Sequence, residues 1–233
     1  MRIHDILREG IELHGPALVA YAVVVSEAYE TLPMMEEGAL PAWHALLDHI
    51  KRMMPKVRSA VGVQFTDEQP YDTAEQTAMD IAKNKRLSIW TGGSDHPVFT
   101  PSENHEYRTV HDFFAHYGPM AKIIKAGKTP TTHRFDLRGE YNSYLVHAKM
   151  LSPKALPAMF TELVGQTTYA IITGHFPAQK VAIMRGFDYY RLGRVDTQKQ
   201  ARMQEVLDQL TRGGVVRSTL GQLDLRHLTM KSK

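Results

Sequence analysis

The chain has 233 residues, 43% hydrophobic and 23% charged, a globular balance that excludes a disordered polymer and allows one sizeable core. It contains no cysteine, so disulfide frameworks, thiol nucleophiles and cysteine-ligated zinc or iron–sulfur sites are excluded. A net charge of +3 is too weak to imply nucleic-acid binding, and the longest apolar run, Ala17 to Val25, is too short to cross a bilayer.

Residues 1–31 read as helical, first amphipathic through Ile3, Ile6, Leu7 and Ile11, then strongly apolar and buried after Gly15-Pro16. Pro33 closes this unit. Pro41 suits a first helical position, Trp43, Leu46, Leu47, Ile50 and Met54 follow at helical spacing, and Pro55 is the predicted end. His44 and His49 stand five apart on this helix, and nothing around His44 suggests chemistry. Val61 to Phe65 alternates as a strand. Asp72 and Thr73 with Glu75 and Gln76 offer overlapping capping boxes for a helix through Ala82, and Leu87 to Thr91 is a second strand. Thr91 to Pro97 is a loop whose two glycines either cradle an anion or simply turn the chain.

Next comes a helix around Asn104 to Tyr117, with Val110, Phe113, Phe114 and Tyr117 forming an apolar stripe. His111 and His116 flank it. Five residues turn a regular helix through about 140°, so these two converge only if the helix ends, bulges or tightens between them. Gly118-Pro119 opens a short apolar helix to Ile124, and the loop from Ala126 to Thr132 is either a lid or a surface excursion. A helix opened by Arg138-Gly139-Glu140 places Glu140, Tyr144 and His147 on one face. Ser152-Pro153 is the predicted start of a further helix carrying Leu156, Met159, Phe160 and Leu163 inward, with Glu162 and Gln166 on another stripe. Gly174 breaks it, and Phe176 to Lys180 is expected to form a short helix.

From residue 194 to 233 there are eight Lys/Arg against four acids. Its basic residues are too dispersed for a nucleic-acid stripe, and a helix from Thr197 to Leu210 either docks on the body or mediates self-association. The expected architecture is mainly α with a small β component, an α+β helical domain over 1–193 with a metal site between helices, then this basic C-terminal extension over 194–233.

His111, His116 and Glu140 supply the two-histidine, one-carboxylate set that suits mononuclear non-haem iron, with Fe(II) the expected metal and zinc or manganese the alternatives. A fourth ligand from His147 or Glu162 would instead suit zinc or a two-metal site. Asp112, His147 and Glu162 are the catalytic candidates; Asn104, Arg108, Tyr144 and Gln166 are the substrate-binding candidates. Asp112 beside His111 also resembles the HD pair of metal phosphohydrolases.

The segment His111-Asp-Phe-Phe-Ala-His116 resembles the iron-binding H-E-L-L-G-H segment of pterin-dependent aromatic amino acid hydroxylases, with Glu140 in the place of their third ligand; no pterin-binding segment accompanies it. A longer resemblance, from about Tyr29 to Met184, is to a family of bacteriophage-encoded proteins and virion-polyprotein domains. It rests on Asn104, Tyr107, Arg108, Val110, His111, Asp112, Phe114 and His116, then Gly139, Glu140, His147, Met150, Ser152, Pro153 and Ala155, then Thr161, Glu162, Gly165, Gln166, Gln179 and Lys180. It implies a phage-encoded protein, cytoplasmic in the host cell or associated with the virion. The expected activity is metal-dependent oxidation or hydroxylation of a small molecule or nucleotide. The alternatives are a non-catalytic phage structural or host-interaction protein with a buried polar network, and a metal-dependent phosphohydrolase. No membrane partner is expected.

Overall fold

Helix α1 (Gly15–Glu30) carries the apolar run, and every residue from Leu18 to Val25 is buried. A helix that is apolar around its whole circumference has no side to offer water, and the helices over 166–173 and 197–213 pack against it. The computed structural model describes residues 13–128 and 133–230. The amphipathic segment read over Ile3 to Ile11, and the 129–132 part of the expected lid loop, lie outside those residues.

A short 3-10 turn (Glu37–Ala39) leads into α2 (Leu40–Ala60), which runs through Pro55 instead of ending there. A proline inside a helix costs about 3 kcal/mol. Ending at Pro55 would strip Val57, wholly buried, from the core, so burial overrides the break. Strands β1 (Gly62–Thr66) and β2 (Arg86–Trp90) pair in parallel from Gly62↔Arg86 to Thr66↔Trp90, connected by α3 (Ala74–Asn84). Thr73 and Gln76 form the predicted capping box of α3.

Helix α4 (Pro101–His111) starts at a second capping box, Thr100 with Glu103, which the sequence reading did not single out. Thr100→Ala should cost about 1 kcal/mol in urea unfolding, because it orphans a first-turn N–H. From α4 the chain passes through a π-helical turn (Asp112–Tyr117) into α5 (Gly118–Lys125). Asp136 caps α6 (Leu137–Met150) by accepting from Gly139 N–H at 2.8 Å.

Ser152 does not cap a helix at Pro153. Its carbonyl closes a turn on Ala155 N–H, and α7 (Leu156–Met159) begins four residues later with Pro157 in its first turn. A second π-helical turn (Phe160–Gly165) joins α7 to α8 (Gln166–Thr173), which Gly174 ends in the left-handed conformation, as expected. Phe176 to Lys180 is not a helix. It has no regular structure, and Lys180 is drawn away to cap α1, donating from Nζ to the carbonyls of Tyr29 at 2.9 Å and Glu30 at 2.7 Å, while Val181 bridges to Met35.

Helix α9 (Thr197–Gly213) takes the docked alternative. Met203, Val206 and Leu210 join the same buried cluster as α1, and Arg202 grips Glu27 through two guanidinium nitrogens at 2.7 and 3.0 Å. The hairpin of β3 (Val215–Ser218) and β4 (Gly221–Asp224) and the short α10 (Arg226–Met230) follow. The molecule is therefore mainly α with two small sheets, as the sequence predicted.

Candidate metal centre

The π-helical turn brings His111 and His116 together. In a π-helix each N–H reaches back five residues, as Gly118 N–H does to the Phe113 carbonyl, so side chains five apart stack on successive turns. His111 Nε2 and His116 Nε2 end 2.9 Å apart, with the rings at 89°. The same widening rotates the aromatic stripe: Ala115 and His116 are buried, whereas Phe113, Phe114 and Tyr117 are only half-buried.

Glu140, from the first turn of α6, completes the group. Its Oε2 lies 3.6 Å from His111 Nε2 and its Oε1 3.7 Å from His116 Nε2. Each of the three offers one ligand atom within 4.8 Å of the others, and all three side chains are buried. Three donors of the residue types expected from the sequence thus face one point.

The protons on this network follow from its partners. His116 Nδ1 donates to the His133 carbonyl at 2.6 Å and lies 3.3 Å from Ser143 Oγ. A carbonyl only accepts, so the proton is on Nδ1 and the Nε2 lone pair faces His111 and Glu140. His111 Nδ1 meets His147 Nε2 at 3.1 Å. Two arrangements are self-consistent. Without a cation, His147 Nε2–H donates to His111 Nδ1 and His111 Nε2–H donates to His116. With one, His111 Nδ1–H donates to His147 and both Nε2 lone pairs are free to ligate, the partner-fixed tautomer typical of metal-bound histidine.

Burial sets the charge state. It lowers His111 and His147, pushes His116 down to about 4, and pushes Glu140 up to about 7 and the neighbouring Asp112 up to about 6. Neutral imidazoles beside a reluctant carboxylate lack the positive charge that a divalent cation would supply.

The remaining candidates fall around this group or beyond it. His147 holds His111; Asp112 is half-buried at the adjacent position. Arg108 donates to the carbonyls of Trp90, Gly92 and Gly93 at 2.6–2.9 Å. The glycine loop thus presents carbonyls to a cation, the opposite of an anion cradle. Asn104 makes long contacts to Ser94 O at 3.5 Å and Gln179 Oε1 at 3.4 Å. Gln166 faces the Tyr29 side chain, whose hydroxyl donates to the Ala178 carbonyl at 3.2 Å. Tyr144 turns away, donating to the Tyr189 carbonyl at 2.8 Å and packing edge-on to Phe160. Glu162 is buried in the second π-helical turn, opposite His96.

Sequence reasoning missed His133, whose backbone adopts the left-handed region at φ 58° to aim its carbonyl at His116. No sequence signal marks a backbone acceptor. It also passed over His49, buried with Nε2 unpartnered and pushed down to about 4 by burial and then by Arg52 and Lys56. The unfolded chain binds this proton near 6.5, so between those values it holds more protons than the folded one and stability falls as pH falls. His49→Met should flatten that acid limb in urea melts, by up to about 1.4 kcal/mol per pH unit.

Compared with known protein families, curated proteins and solved structures, the chain shows no significant match to any of them. Among the described residues, no helix is long and apolar enough to cross a membrane.

Proposed function

We propose that this chain is a metal-dependent enzyme whose mononuclear centre is held by His111, His116 and Glu140, with Fe(II) as its working metal and oxidation or hydroxylation of a small molecule or nucleotide as its reaction. The supporting observation is the convergence of two Nε2 atoms and a carboxylate from two helices, all buried, within 3.7 Å. Two histidines and one carboxylate leave coordination positions for oxygen or substrate, which is the chemistry the metal would supply. The chain's own part is positional. His133 fixes the tautomer of His116, His147 would accept the Nδ1 proton of His111 when its Nε2 ligates, and the burial of His116 keeps water from its nitrogen. Glu140 and His111, at 8% and 9% exposure, are the less deeply buried members of the centre. Following the phage-family resemblance, we read the protein as phage-encoded.

One observation favours a second reading. The hydrogen bonds from His147 through His111 and His116 to the His133 carbonyl form without any cation, as in a structural polar network, with His147 Nδ1 left unpartnered among the described residues. Metal analysis after anaerobic reconstitution separates the two. About one iron per chain is expected; zinc or manganese retained in its place redirects the reaction toward hydrolysis, and protein that retains no metal leaves the structural network.

A further inference from the structure

A second group of buried polar atoms, unused by the proposed centre, lies between the 91–100 loop and the second π-helical turn. His96 Nε2 stands 3.8 Å from Glu162 Oε2, too far for a direct hydrogen bond, and both atoms are buried without a partner among the described residues. The side chains are 0% and 4% exposed.

The opposite edge of the imidazole fixes its proton. Nδ1 accepts from Val98 N–H at 3.1 Å and Phe99 N–H at 2.9 Å, so its lone pair is engaged and the neutral ring carries hydrogen on Nε2. A donor therefore faces a carboxyl oxygen across a gap one oxygen atom can bridge. A metal ion is a poor occupant, because Nε2–H has no lone pair to offer, and this argues against Glu162 as part of a two-metal site. Phe99 stacks on the imidazole at 4.2 Å and Trp43 stands 5.0 Å from it, its own buried Nε1–H also unpartnered.

We propose that His96 and Glu162 form an internal binding site, separate from the triad, for one small hydroxylic molecule, water being the smallest, which accepts from His96 Nε2–H and donates to Glu162 Oε2. An interior donor and acceptor left unmet are each more costly than an immobilised oxygen between them. The site requires no metal, so it stands whether or not the triad binds one.

Crystals of the full-length protein grown without organic additives test it, alongside the same crystals soaked in methanol. The expected map has a one-atom peak within about 3 Å of both side-chain atoms. A peak lengthened by methanol assigns the site to hydroxylic ligands generally; an unchanged peak assigns it to water. Glu162→Gln keeps an accepting carbonyl and should keep the peak. Glu162→Leu should lose it and melt at least about 4 °C lower. A wild-type map with no peak and the two side chains in direct contact overturns the proposal, whatever the variants do; so does a Glu162→Leu protein with the peak unchanged.

Discussion

Glu140→Gln should lose at least about a hundredfold in metal affinity and, in the metal-free state above pH 7, be more stable than the wild type. The two effects have one cause. Burial holds the folded carboxyl at about 7, against 4.5 for an unperturbed glutamate. Between those values the folded state binds more protons than the unfolded one, so wild-type stability falls as pH rises through that window and stays lowered above it. An amide of the same shape never ionises and avoids the penalty, on the order of 3 kcal/mol. A side chain that weakens its own metal-free fold and is the condition for binding a cation is acting as a ligand. Urea melts at pH 5 and pH 8, with metal titrations on the same samples, check both halves. Equal affinity in the variant, or lower metal-free stability at pH 8, would sink the ligand assignment.

Gly139→Ala should damage the fold and the centre together. A Cβ at this position would overlap the backbone nitrogen, carbon and oxygen of Arg134, and backbone cannot swing aside as a side-chain tip can. Overpacking of this kind costs about 1–3 kcal/mol, a fall in Tm of about 2–12 °C for a chain of this length. What must move is the segment that carries the His133 carbonyl, the acceptor that holds the His116 proton on Nδ1. Metal affinity should then drop about 10–100-fold, the usual loss when an outer partner of a ligating histidine is removed. Gly213→Ala is the control, since a Cβ there meets nothing within 4 Å. Histidine nitrogen NMR on metal-free protein adds a readout independent of binding: His116 should be the Nδ1–H tautomer in wild type and mixed in Gly139→Ala.

Much of the fold was legible because it is local. The apolar run Ala17–Val25 had to be buried, Thr73 had to start a helix that Gln76 could close, and Gly174 had to end one in the left-handed region. The local rules failed where distant contacts outweighed them: Val57 kept α2 going past Pro55, Lys180 left its predicted helix to cap α1, and the helix after Ser152 began only at Leu156. At the candidate centre the residue types were readable and their geometry was not. Spacing five apart splays two histidines on a regular helix, and the π-helical turn that reverses this has no sequence signature of its own.

The sequence by itself determined the chemistry available: with no cysteine, metal could be gripped only by imidazole and oxygen, and the chain supplied His111, His116 and Glu140 within about 30 residues. Only the tertiary structure decided which of twelve histidines face one another. Convergence depends on a backbone carbonyl at His133, a ring from α6 at His147 and the depth of burial, and none of these is a property of a residue or its neighbours in sequence. Residue identity sets what a side chain can donate, whereas its proton, its charge and its target are set by whatever the rest of the fold packs against it.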